Sequence, residues 1–244
     1  ISRGYGGDTS QMPAVVDAVS LPNVVGDEPC LIVNMTAVPM AVCPDRKQAI
    51  TTLLAVHPDL QLIIADDGLQ HYALQRDIEW IVVDSARGFG NKQLLPTGFL
   101  REPMSRLQGA TVIYHEPLKT DSVGHNKDNS SLYSANRLTM HLEANALQLL
   151  WQPTLSYSQI DVPKKGHKVH AVSGIGYPQR FFDTLNSLGF DVVGHAYPDH
   201  HDFDLAELLQ YTEYPVVVTS KDAVKIRALL SKATTDKALN DGYQ

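Results

Sequence analysis

The sequence predicts an α/β protein with parallel sheets, and three observations carry that expectation. Continuous apolar runs of strand length end in aspartate at "QLIIAD" (61–66) and "IEWIVVD" (78–84). Helical spacings alternate with such runs along the chain. Glycine-rich turns follow strand-like segments at "ISRGYGG" (1–7) and "HKVHAVSGIG" (167–176). Apolar runs that lack period-two alternation suit strands buried on both faces of a parallel sheet.

Taken in order, Ile1 opens directly in a strand end and a glycine turn, with no initiating methionine, so the chain is expected to be a fragment of a longer protein. "CLIVNMTAVPMAVC" (30–43) mixes a helix-like start with a strand-like end. "DRKQAITTLLAVHPDL" (45–60) spaces Ala49, Ile50, Leu53 and Leu54 as a helix face behind an acidic start. Strands are expected at 61–66, 78–84 and 110–116. The polar stretch "KTDSVGHNKDNSS" (119–131) reads as a linker, and 132–163 as a β-ribbon. After "PKKG" the strand–helix rhythm resumes through "KDAVKIRALLSK". The expected organisation is two α/β units, 1–118 and 166–244, joined through 119–165.

Composition narrows the function. With 43% apolar and 19% charged residues, the 244-residue chain has an ordinary globular make-up. A net charge of −7 argues against a nucleic-acid binder, which would show a basic face. Cys30 and Cys43 show no CxxC spacing, so neither a disulfide framework nor a zinc site is indicated, and a reducing compartment fits. No apolar run reaches the roughly 18 residues of a membrane span.

In open parallel sheets, ligands gather beyond the carboxyl ends of the strands. Asp66 and Asp67 stand at such an end. Neighbouring like charges are costly unless a cation lies between them, and Mg²⁺ with its hard oxygen ligands suits that place. A solvated Asp-Asp-Gly turn is the plainer reading. Other short motifs carry similar pairs of readings. In "SRGYGG" the glycines either admit an anionic ligand or form a flexible turn. In "VGDEP" (25–29), Asp27 and Glu28 are either site acids or N-terminal helix residues. "FGNKQLLPTGFLREP" (89–103) is a surface loop held by an Arg101–Glu102 pair, or part of a cleft. "YPDHHDF" (197–203) leaves metal ligation, proton transfer and a solvated loop open.

Together, "SRGYGG", "VGDEP", "DDGLQHY", "LLPTGFLREP", "GIGYPQRFF", "PDHH" and "KDAVK" resemble, in order and spacing, the tetraacyldisaccharide 4'-kinase family, the lipid A 4'-kinases of Gram-negative bacteria. The resemblance implies a P-loop NTPase-like core and a smaller C-terminal α/β lobe joined by a β-ribbon. It implies transfer of the γ-phosphate of ATP to the 4'-hydroxyl of a tetraacylated glucosamine disaccharide, peripherally at the cytoplasmic face of the inner membrane. By the same resemblance, Asp66 and Asp67 hold Mg²⁺ with the nucleotide, and Asp27 and His200 form a catalytic pair drawn from the two lobes. Glu28, Arg46, His71, Arg101 and Glu102 belong to the active cleft. The chain departs from the family pattern in several places. Lys92 stands where a second loop glycine is usual, Phe99 where proline is usual, and Ser220 where glutamate is usual. The family's glycine-rich phosphate loop and amphipathic N-terminal helix have no counterpart in these residues, so the isolated chain is expected to be inactive. Two alternatives are a metal-dependent phosphoesterase using Asp199, His200 and His201, and a non-catalytic remnant that binds nucleotide or acylated sugar.

Overall fold

The structure, a computed structural model, describes residues 1–116, 136–144, 147–150 and 165–241. In chain order the elements are a 3₁₀ turn (Thr9–Gln11), β1 (Ala14–Val16), α1 (Pro22–Val25), α2 (Asp27–Thr36), β2 (Met40–Val42), α3 (Arg46–Val56) and β3 (Trp80–Asp84). A second 3₁₀ turn (Met104–Leu107), β4 (Thr111–His115) and β5 (Asn136–Met140) follow. The last are β6 (Lys168–Ser173), α4 (Pro178–Ser187), β7 (Asp191–Ala196), α5 (Leu205–Leu209), β8 (Val216–Val218) and α6 (Ser220–Asp241). They group into two compact units, one of Ile1–Asp66 with Ala146–Gln244 and one of Asp67–Asn145. This grouping cuts the chain at points other than the sequence-based boundaries at 118 and 165. One reason is local: β5 pairs with β4, which holds residues 136–140 to 111–115.

In the first unit, β1 and β2 form an antiparallel pair with Ala14 opposite Val42 and Val16 opposite Met40. Ser2 runs beside β2, giving its N–H to Ala41 and accepting from Cys43. Helix α2 packs its Cys30 and Val33 with Val16, Met40 and Val42, and Val224 of α6 joins this core. Such burial supplies about 25 cal/mol per Å² of apolar surface. Asp45 caps α3 by accepting the Lys47 N–H at 2.9 Å. The C-terminal half of the unit is a parallel sheet in the order β7-β6-β8. Its central strand β6 buries Val169, Ala171 and Val172 completely. Pro178 opens α4 at its first turn, where the missing N–H costs nothing. Asp204 and Glu207 close a capping box at the start of α5.

The second unit holds a parallel sheet, β3-β4-β5, over a core of Val83, Phe89, Leu107, Val112 and Tyr114.

Three expectations are corrected. Residues 61–65 form no strand, although the Ile64 carbonyl and the Asp66 N–H both bond to Ile1. Leu62 and Ile64 are accordingly exposed. Next, β3 is buried on one face only. It lies at the edge of its sheet, and Trp80 and Val82 point away from the core that takes Val83. Last, β5 falls in the expected ribbon but is a parallel partner of β4. The expected linker at 119–131 lies outside the described residues, as does most of the rest of the ribbon.

Candidate active site

Asp27 begins α2 and is 5% exposed. Its Oδ1 accepts the Glu28 N–H at 2.9 Å within the first turn of a ten-residue helix. Gly26, at φ 98°, makes this entry possible. A Cβ there would lie 2.7 Å from the Tyr5 carbonyl, so any side chain would push the "GYGG" turn off the helix start. The other carboxylate oxygen, Oδ2, lies 3.1 Å from Nδ1 of His200, a residue 173 positions away. The sequence-based division assigned the two residues to separate lobes, whereas both fall in the first compact unit.

His200 is held by its backbone as well as its ring. Its φ is +59°, a left-handed conformation that is uncommon for a residue with a Cβ, though less so for histidine. Its N–H is shared between the Gly174 carbonyl and Asp199 Oδ1, each at 3.0 Å. Gly174 is in turn fixed by Asp222, which is fully buried and accepts the Gly174 N–H at 3.1 Å and the Thr219 hydroxyl at 2.7 Å through Oδ2. A Cβ on Gly174 would meet Asp222 Oδ1 at 3.2 Å and the Pro198 carbonyl at 3.3 Å, so the close approach depends on glycine. The chain of support therefore runs from the start of α6, through the end of β6, to the imidazole.

Two lysines of α6, one turn apart, complete the cluster. Lys221 Nζ is 3.1 Å from Glu28 Oε1 and 3.3 Å from His200 Nε2. Lys225 Nζ is 3.9 Å from Asp27 Oδ2 and donates to the His201 carbonyl. The Tyr5 ring lies 5.1 Å from that of His200. His201 faces the other way, onto Glu207 at 3.0 Å. That hydrogen bond, followed by the Asp204 N–H, holds the Glu207 carboxyl below its usual range. Since the two histidines diverge, and no group of three or more His, Cys, Asp or Glu that could hold a metal occurs among the described residues, the phosphoesterase reading is not favoured.

The remaining site expectations fall elsewhere. Arg46 is buried in the first unit and donates to the Cys43 carbonyl. The Asp66 N–H bonds Ile1. In the second unit, Asp67 sits at φ 45° with both carboxylate oxygens gripped by the Arg101 guanidinium, at 2.6 and 2.9 Å. The same hydrogen bonding raises the Arg101 pKa. Among the described residues no hydrogen bond or ion pair joins Arg101 to Glu102, although the Glu102 charge adds to the rise in the Arg101 pKa. Glu102 accepts instead from Tyr72 and Gln70 and faces Arg106. An open cleft of about 330 Å³ is lined by Asp84, Phe99, Arg101 and Glu102, at the carboxyl end of β3. His71 Nε2 is buried with no hydrogen-bond partner among the described residues.

A family model described as tetraacyldisaccharide-1-P 4'-kinase matches residues 1–239. The chain belongs to this family. The tetraacyldisaccharide 4'-kinase of Psychrobacter arcticus is 65% identical over 254 residues, which cover 100% of this chain and 66% of that protein. The tetraacyldisaccharide 4'-kinase of Pseudomonas putida is 42% identical over 228 residues, covering 93% of this chain and 63% of that protein. The chain therefore spans about two thirds of the length of these curated kinase relatives. A solved structure, described as an "apo" form of LpxK from Aquifex aeolicus in complex with ATP, superposes with a TM-score of 0.61 at 23% identity. It covers 93% of this chain and 69% of that one, and the likeness supports the P-loop NTPase-like α/β fold.

Sequence reasoning left Lys221, Asp222, Lys225 and Tyr5 without roles. The signal for the lysines was present: "KDAVK" puts Lys221 and Lys225 at i and i+4, on one face of a helix.

Proposed function

We propose that this chain carries the acceptor-activating part of an ATP-dependent kinase that phosphorylates the 4'-hydroxyl of a tetraacylated glucosamine disaccharide in lipid A biosynthesis. The observation that carries this reading is the Asp27–His200 pair, 3.1 Å apart and supplied by segments 173 residues distant. A sugar hydroxyl is a poor nucleophile. A carboxylate joined to an imidazole can take its proton as the bond to phosphorus forms, while positioning and charge stabilisation do the rest. The Glu28 N–H fixes one carboxylate oxygen of Asp27 at the helix start, and the Gly174–Asp222 bracket limits where the ring can go.

ATP would bring Mg²⁺ with it, and Asp66 and Asp67 would hold that ion. The donor set fits a metal delivered by phosphates better than a protein cage. Two sequence-adjacent carboxylates are offered, one already engaged by Arg101, and Mg²⁺ commonly takes one or two carboxylates beside phosphate oxygens. When bound, the ion neutralises charge on the transferring phosphoryl group. On the family resemblance, Glu28 and Arg46 in the first unit and His71, Arg101 and Glu102 in the second are assigned active-cleft roles. The family resemblance supports a peripheral location for the reaction, at the cytoplasmic face of the inner membrane. No helix among the described residues is long and apolar enough to cross a membrane.

The test uses the chain extended to the full length of its relatives, with ATP, the disaccharide acceptor and saturating Mg²⁺. Asp66→Ala and Asp67→Ala are each expected to abolish phosphoryl transfer while leaving the circular-dichroism spectrum unchanged. Full activity in both variants would remove the metal assignment. No transfer by the unmutated enzyme would remove the kinase reading itself.

A further inference from the structure

Lys221 has no part in the proton-accepting pair, yet it is aimed at it. Its side chain is 17% exposed, and Nζ lies 3.1 Å from Glu28 Oε1, 3.3 Å from His200 Nε2 and 3.8 Å from Asp199 Oδ1. Burial works against its ammonium. The hydrogen bond to Glu28 and the charges of Glu28, Asp27 and Asp199 outweigh that burial, and the pKa of Lys221 is raised. Lys221 is therefore a cation throughout the neutral range. An ammonium has three N–H donors and no acceptor, so the ring nitrogen facing it presents a lone pair. A neutral imidazole carries one N–H, which then sits on Nδ1, facing Asp27 Oδ2.

The surroundings of the ring make this contact consequential. Asp27 and Glu28 come from α2, and Asp199 from the loop after β7. Lys221 and Lys225 come from α6, and Tyr5 from the N-terminal turn. A doubly protonated ring has no lone pair with which to accept a proton, so the nitrogen that the ammonium faces decides what the ring can do. We propose that Lys221, braced by Glu28, is a positioning residue that keeps His200 as a neutral imidazole with its proton on Nδ1 and its Nε2 lone pair turned to the ammonium. The catalytic consequence rests on the kinase reading above, whereas the protonation state does not. Glu28 thereby acquires a role of its own, since it holds the lysine while Asp27 beside it holds the ring.

Nitrogen-15 NMR of the histidine ring in the 244-residue chain reads the state directly, with His200→Gln identifying the signal. At neutral pH the His200 Nε2 is expected to show the shift of an unprotonated ring nitrogen and Nδ1 that of a protonated one. In Lys221→Met the ring should take its second proton at a higher pH than in the unmutated chain, and Lys221→Arg, which keeps the cation and the donors, should restore the original behaviour. A ring protonated on Nε2 in the unmutated chain, or an unchanged titration in Lys221→Met, would overturn the proposal. In the full-length enzyme, Lys221→Met should move the acidic limb of kcat/KM to higher pH and recover toward the alkaline plateau. A lowered plateau with an unmoved limb would mean a merely structural lysine and would also overturn it. Failure of the unmutated enzyme to transfer phosphate, with the NMR pattern as expected, would remove the kinase reading and leave the protonation assignment standing.

Discussion

Asp27 and His200 each have a bland explanation as well as a chemical one. An aspartate in the first turn of a helix stabilises that helix, and its loss costs about 0.3–1 kcal/mol. A histidine at positive φ can simply be a loop residue. What joins them is the 3.1 Å contact, and a double-mutant cycle reads that contact as coupling. In the full-length enzyme, Asp27→Ala and His200→Ala are each expected to lower kcat by about 10²–10⁴-fold with little change in KM, because the interaction strengthens only as the proton moves. The double variant should be scarcely worse than the worse single, since one unit cannot be broken twice. Independent, additive losses in kcat would show that the two side chains do not act together.

Among the elements, the loop from 89 to 103 illustrates a sequence departure acquiring a physical cost. Lys92 occupies a place where the family usually has glycine, and its φ is +60°, with its N–H bonded to the Phe89 carbonyl. A left-handed residue with a Cβ costs about 1–2 kcal/mol. Glycine returns about 0.5–1 kcal/mol of that through the entropy of its unfolded chain. Lys92→Gly is therefore expected to stabilise the protein by roughly 0.5–1 kcal/mol, seen as a higher urea midpoint with an unchanged slope. A lower midpoint would mean that the exposed Lys92 side chain contributes more than its backbone costs. Helices were the most legible elements. Asp45 and Pro178 mark the starts of α3 and α4, and caps are local chemistry. The apolar run at 61–66 was misread for the opposite reason: a strand is defined by the neighbour it pairs with, and an apolar run does not name one.

At the scale of the whole molecule, the 244 residues contain no glycine-rich loop ending in Lys-Ser or Lys-Thr, the element whose backbone and lysine cradle ATP phosphates. The 244-residue chain by itself is expected to give no phosphoryl transfer to the disaccharide and only weak binding of Mg-nucleotide by calorimetry, while the full-length enzyme turns over. Tight Mn²⁺ binding without nucleotide would revive the phosphoesterase alternative. Turnover by the isolated chain would mean that another segment holds the phosphates.

The sequence by itself determined the α/β class, the helix starts, most strands and the family, because strand-length apolar runs, capping residues and ordered motifs are local patterns. It also singled out Asp27 and His200, though only through the company of the other motifs. Tertiary structure decided what no spacing records: that Asp67 and not Glu102 is hydrogen-bonded to Arg101, that β3 leaves one face open, and that Lys221 and Asp222, neighbours in "KDAVK", serve different ends. The reason is physical. Pairings between groups tens to hundreds of residues apart are set by where the backbone brings them, and in an ion pair or a proton-accepting unit the chemistry lies in the distance between partners, which a linear sequence does not contain.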